Sequence, residues 1–311
     1  MGSLNFILTA DYELFGDGSG CIKKCMIDPA EKMLSICDKY FAKLTLFVDV
    51  CEYWAFKEAA NKNLFDNEEF PHVLIEQQLQ DAVRRGHDVQ LHFHPQWLDA
   101  EYIDGKWKLN NDFWRLPSVE NHPKWTLIKL FKEGKATLEN IIKPIDPDYK
   151  CNIFRAGAWC IQDELKVLEA MRENHFIIDS TVAPNMLFDN GLTYYDFRNA
   201  PKKHSWNIKD NVIKEDSFAS IKEVPIFTTE VLWFTILYFK FLKVLKTLPF
   251  KSSECVSASV NTGSRYSLKG LFKNQYRMFN FCDATSFREL KYFTKKANLA
   301  FENLLDTKDV P

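Results

Sequence analysis

Two acids and two histidines carry the chemistry of this chain. In Thr9-Ala10-Asp11-Tyr12-Glu13 the carboxylates stand two residues apart at the end of an apolar strand, so a continuing strand projects both to one face. In Asp88-Val89-Gln90-Leu91-His92-Phe93-His94-Pro95-Gln96 the alternation is strict. Val89, Leu91 and Phe93 face one way; Gln90, His92 and His94 face the other, which brings two imidazoles within reach of one cation. Carboxylate with imidazole suits zinc and related divalent metals, and a catalytic site keeps one position open for water. Each motif alone also has an ordinary reading: a solvated strand end or helix cap for the acids, hydrogen-bonded structural histidines for the His-x-His pair. A third segment, Phe154-Arg155-Ala156-Gly157-Ala158-Trp159, directly follows a strand. An arginine there stands where parallel α/β proteins put their sites and can hold a carboxylate bidentately, while Trp159 supplies an apolar wall.

Such residues need strands to aim them. Apolar runs predict strands over 6–9, 44–48, 88–94, 151–154 and 176–179, and helical spacing predicts helices over 29–40, 70–85, 127–142 and 162–174, with Gly86 stopping the second. This alternation predicts an α/β fold with a mostly parallel sheet and helices outside, open or closed into a barrel. Tyr102-Ile103-Asp104-Gly105-Lys106-Trp107 carries the Asp-Gly signature of a hairpin and reads as a surface insertion. With 11 Gly and 12 Pro there is no linker or repeat, so residues 1–311 read as one domain.

Composition narrows the partners. The chain has 311 residues, 46% hydrophobic, with a net charge of −2 and both signs interspersed, which excludes disorder and gives nucleic acid no global attraction. The N-terminus lacks the basic start and apolar run of a secretory signal, which predicts a cytoplasmic protein. Eight irregularly spaced cysteines read as reduced thiols, and Cys21 with Cys25 has no second pair at zinc-site spacing. The apolar run from Val231 to Phe239, with Lys240, Lys243 and Lys246 after it, is too short to cross a bilayer, which takes about 17–25 residues. It reads as a buried helix or strand, or as a helix at 231–246 in peripheral contact with the inner face of a membrane. Gly16-Asp17-Gly18-Ser19-Gly20 lacks the ending of a phosphate loop and reads as a flexible loop over the site. His87, His122, His175 and His204 read as surface or structural residues.

Taken in order, Thr9 to Glu13, Gly86 to His92, Phe154 to Trp159 and Ile178-Asp179-Ser180-Thr181-Val182 resemble the motifs of the NodB-like polysaccharide deacetylases, carbohydrate esterase family 4, over roughly residues 4–227. The run Gln90 to Trp97 is similar to a WbmS-type subgroup associated with bacterial surface-polysaccharide gene clusters. The resemblance implies a distorted (β/α)7-type barrel with a divalent metal ion, zinc, at the C-terminal strand ends, and an N-acylated sugar or glycan as substrate. It implies Asp11 as catalytic base, Glu13 and His92 as metal ligands, Arg155 orienting Asp11, Trp159 lining the acyl pocket and Asp179 as structural support. The chain departs from the pattern twice. The family's second histidine falls on Gln96, so His94 is taken as the second ligand by alternation, with Gln96 as the alternative. No histidine follows His204 to act as the family's C-terminal acid, and 278–283, with Asp283, occupies that region. Amide hydrolysis is the expectation; a catalytically inactive carbohydrate-binding protein of the same fold and a scaffold of a membrane-bound glycan-assembly complex are the rivals.

Overall fold

The computed structural model describes residues 6–65, 70–246, 275–278, 291–292 and 294–299. Strand β1 (Leu8–Tyr12) leads through a glycine-containing loop to α1 (Asp28–Lys39), whose first turn holds Pro29, Asp28 and Glu31 and whose buried stripe is Ala30, Leu34 and Cys37. Next come β2 (Leu44–Asp49), α2 (Val50–Asn61), α3 (Pro71–Arg84) and β3 (Asp88–Phe93). Gly86, at φ +79, ends α3 while His87 N–H returns to the carbonyl of Ala82. Strands β4 (Glu101–Ile103) and β5 (Lys106–Lys108) form the expected hairpin, with Asp104 and Gly105 both at positive φ as that turn requires. The chain continues through α4 (Leu127–Ile142), β6 (Ile153–Ala156), α5 (Leu165–Glu173) and β7 (Ile178–Asp179). After β8 (Leu187–Asp189) and β9 (Tyr194–Asp196), a second hairpin, come β10 (Trp206–Ile208), β11 (Ile221–Glu223), β12 (Thr228–Val231), α6 (Trp233–Lys246) and β13 (Gln275–Met278).

Seven strands pair in the order β1-β2-β3-β6-β7-β11-β10, parallel except for β10 against β11. Among the described residues, β1 and β10 are not paired to each other. The expected strand-helix alternation is present with shifted ends: β6 lies two residues later than the apolar run 151–154, and α2, whose buried positions wrap most of its surface, had no helical stripe to reveal it. On the helix side of the sheet Phe93, Phe131, Phe154 and Phe176 pack edge to face, with Phe93 to Phe131 centroids 5.1 Å apart. Gly134 on α4 makes room for this, since a Cβ there would meet the Phe93 ring at 2.8 Å.

Register decides what shares the other face. Asp49, His92 and Arg155 form one row across β2, β3 and β6, and Asp11 pairs with Phe47 one row-pair below. Glu13 lies one residue past the end of β1, where continuing the register sets it beside Asp49. No helix among the described residues is long and apolar enough to cross a membrane. Residues 231–246 are the end of β12 and α6: Val231 and Ile236 are buried, Phe234, Tyr238 and Phe241 exposed.

Candidate metal centre

One oxygen of Glu13 and the Nε2 atoms of His92 and His94 converge at the C-terminal ends of β1 and β3, all within 4.8 Å of one another. Glu13 Oε2 lies 3.1 Å from His92 Nε2 and 2.8 Å from His94 Nε2. Yet all three atoms are buried and none makes a hydrogen bond of acceptable geometry. Three buried potential ligand atoms brought this close, with no hydrogen bond of acceptable geometry to satisfy them, form a set that could hold a cation. Carboxylate and two imidazoles are the donor chemistry of zinc and its neighbours, so these residues fit a divalent ion.

Each ligand is braced from behind. His92 Nδ1 donates to the carbonyl of Arg155 at 2.7 Å, which leaves the Nε2 lone pair free. The backbone N–H of His94 donates to Asp49 Oδ1 at 3.0 Å, and that same oxygen caps α2 by accepting from Cys51 N–H at 3.1 Å. Gln96, the alternative to His94 as a ligand, has its Nε2 3.1 Å from His94 Nδ1, while its Oε1 is buried without a hydrogen bond. Past Glu13, Leu14 N–H is held by both oxygens of buried Glu52, at 3.0 and 3.1 Å.

Arg155 holds the second acid. Its Nη1 donates to Asp11 Oδ1 at 2.7 Å, Nε to the Ser180 carbonyl at 2.9 Å, and Nη2 to Thr9 Oγ1 at 3.0 Å and Ser180 Oγ at 3.2 Å. The guanidinium lies 4.1 Å over the Phe47 ring. With this many partners it cannot swing, so Asp11 is fixed beside the three ligands.

Burial and charge oppose each other here. Burial alone would raise the Glu13 carboxyl, but the imidazoles of His94 and His92 outweigh it and hold Glu13 below the usual range. Burial would lower His94, but Glu13 first, then Asp49 and Asp11, push it up to about 9. Asp49 goes to about 6, chiefly through burial, and Glu52 rises well above the ordinary value for the same reason.

The remaining expected residues fall around this core. Trp159 follows Ala158 at positive φ, 55 and 49 respectively, and stands edge-on to Tyr195 at 5.8 Å. The indole beside His94 is Trp114, at 6.3 Å, its N–H fixed on Thr193 Oγ1 at 2.9 Å. Asp179 is fully buried, accepts from Thr181 Oγ1 at 2.6 Å and pairs in register with Glu223, whose other partner is Val182 N–H. Its row is that of Phe154, so alternation turns it to the sheet face opposite Arg155. Burial raises both acids, Glu223 well above the usual range with the neighbouring Asp179 carboxylate adding to it, so the pair favours holding a proton.

The glycine loop packs rather than hangs free: Gly18 is buried, and a Cβ on Gly16 would meet the Trp114 ring at 3.2 Å. His87 and His122 are structural as expected, each bonded to an acid, Asp38 and Asp99, at 3.0 Å. The six described cysteines with assigned states are free thiols. Residues 279–283, with Asp283, lie outside the described residues. Asp49, Glu52 and Trp114 went unmarked in the sequence as parts of the site. Asp49 had a signal, an acid closing an apolar strand just as Asp11 does. No protein-family model, curated protein or solved structure matches the chain.

Proposed function

We propose that the protein is a metal-dependent hydrolase that removes an N-acyl group, acetyl or formyl, from a sugar of a bacterial surface polysaccharide or its precursor. The observation that carries this reading is the convergence of three unpartnered ligand atoms, from Glu13, His92 and His94, beside a carboxylate that Arg155 holds apart from them. The motif order supports it, and the mostly parallel sheet is compatible with the distorted barrel that the resemblance implies. A zinc ion held by the three ligands would supply Lewis-acid polarisation of a water and of the acyl oxygen.

The chain's own residues do the rest. Asp11 accepts the proton of the attacking water, and Arg155 holds its carboxylate in place. Trp114 and Trp159 give apolar walls that suit a short acyl group. Asp179 and Glu223 hold the 180–182 turn from which Ser180 grips Arg155. The protein acts in the cytoplasm at the inner face of the membrane, and the exposed Phe234, Tyr238 and Phe241 of α6 support peripheral contact there.

Metal analysis of purified protein tests the centre, with one ion per chain expected and none in Glu13→Ala. Release of acetate or formate from N-acylated glycans and nucleotide sugars tests the chemistry. Loss of that release in Asp11→Asn, with metal retained, completes the case; metal-loaded protein that releases neither acid, with Asp11→Asn no different, ends it. Retained glycan binding without hydrolysis would identify a catalytically inactive member of the fold, a reading favoured by the absence of any histidine after His204.

A further inference from the structure

Away from the metal, α2, α4 and the turn after β3 enclose a cleft of about 410 Å³, within the size range of small-molecule sites. Its wall is aromatic. Trp54 and Trp125, both half-buried, stack with centroids 5.3 Å apart and planes within 13°. Both rings are held in place. The Trp54 indole N–H donates to Thr137 Oγ1 at 3.0 Å, and the Thr137 hydroxyl donates to the Glu133 carbonyl at 2.9 Å. Lys129 donates to the Lys124 carbonyl at 3.1 Å and lies 4.5 Å over the Trp125 ring. The carboxylates of Glu58 and Glu133 stand at the rim, Glu58 beside Lys62 at 2.6 Å.

The chemistry selects the ligand. The lining carries two acids, Glu58 and Glu133, against one lysine, Lys129, with Lys62 paired to Glu58 beside it, so the cleft offers no net attraction to a phosphate or a polyanion. The indoles stack on each other, so they form no cage of ring faces around a quaternary ammonium. A rigid indole pair with carboxylates at its edge suits a pyranose, whose C–H groups pack on the indole surface that lines the cleft outside the stack while its hydroxyls donate to Glu58 and Glu133. We propose that this cleft is a glycan-binding site separate from the metal centre, seating one sugar ring on the Trp54–Trp125 platform. The cleft's inner wall touches the metal layer from behind: Cys51 N–H shares Asp49 Oδ1 with His94 N–H, and Trp97 N–H donates to the His94 carbonyl at 3.1 Å. The site therefore holds a different stretch of glycan from the one at the metal. The choice of a glycan with N-acyl groups as probe rests on the function proposed above; the geometry of the cleft does not.

The test is titration of the full chain with an N-acetylglucosamine tetramer and its de-N-acetylated counterpart, followed by tryptophan fluorescence and calorimetry. Saturable binding is expected, at least tenfold weaker in Trp125→Ala and in Glu133→Gln, restored in part by Trp125→Phe, and retained in metal-free Glu13→Ala. Circular dichroism confirms that each variant is folded. Absence of binding by either probe below about 10 mM overturns the proposal. So does wild-type affinity in folded Trp125→Ala and Glu133→Gln, and so does loss of binding in Glu13→Ala, which would assign the sugar to the metal centre. Binding that survives in a protein releasing no acyl group sinks the hydrolase reading alone.

Discussion

The imidazole of His94 rests against the backbone of Gly157, where a Cβ would fall 2.8 Å from both Cγ and Cδ2 of the ring. That is far inside van der Waals contact, and the ring has little room to retreat, with Trp114 edge-on beyond it. A Cβ there would also overlap the Phe93 carbonyl oxygen of β3, so Gly157→Ala should push β3 and β6 apart and displace His94 with them, at an overpacking cost of at least about 1–3 kcal/mol. A competition titration with a zinc chelator should read at least a tenfold loss of affinity, with secondary structure unchanged.

Gln96 should prove a brace for His94. With a metal on Nε2, Nδ1 keeps its proton and needs an acceptor, and the Gln96 amide supplies one once its oxygen faces the ring. That orientation also gives Gln96 Oε1, otherwise buried without a partner, a donor. Gln96→Ala should cost about 10–100-fold in metal affinity, in line with other residues that orient ligand histidines. Gln96→Glu, which also accepts, should recover most of it; equal affinity in all three proteins would refute the role.

Protons and metal compete for His94. Its value in the metal-free protein is raised from 6.5 to about 9, so the charged ring's attraction to Glu13 stabilises the fold fully below the ordinary histidine value and is lost as pH rises through about 9. Glu13 is lowered and stays ionised throughout, so it contributes no proton. Zinc affinity should climb about tenfold per pH unit between about 7 and 9 and then level off. Calorimetry at pH 7 in buffers of different ionisation enthalpy should count close to one proton released from His94 per zinc bound.

The Asp179–Glu223 pair should behave as one proton-sharing unit. Glu223→Gln keeps both a donor toward Asp179 and an acceptor for Val182 N–H, so its midpoint in urea should stay near that of the parent protein. Glu223→Ala strands a buried carboxylate and a buried N–H, at a cost of at least about 2–3 kcal/mol. Equal midpoints for the two variants would show that the pair carries no such load.

Much of this was legible in the chain. Alternation through Gln90, His92 and His94 put both imidazoles on one face, and the Asp11-x-Glu13 spacing put both acids on another strand's end, because a strand's period of two is rigid. The Asp-Gly turn and the Gly86 stop were equally local. What stayed hidden depends on contacts across the sheet. Asp49 matters because β2 lies beside β3, and Gly157 matters because β6 does; neither neighbourhood is written in local spacing. Helix α2 was invisible because it is covered on nearly all sides and so shows no stripe.

Arg155 serves two masters with two different parts of itself. Its carbonyl orients His92, and any residue at that position would present the same oxygen; its guanidinium alone holds Asp11. A substitution at this one position would thus release the Asp11 carboxylate while the backbone support of His92 stays in place, so the two halves of the site can be uncoupled by changing a single side chain.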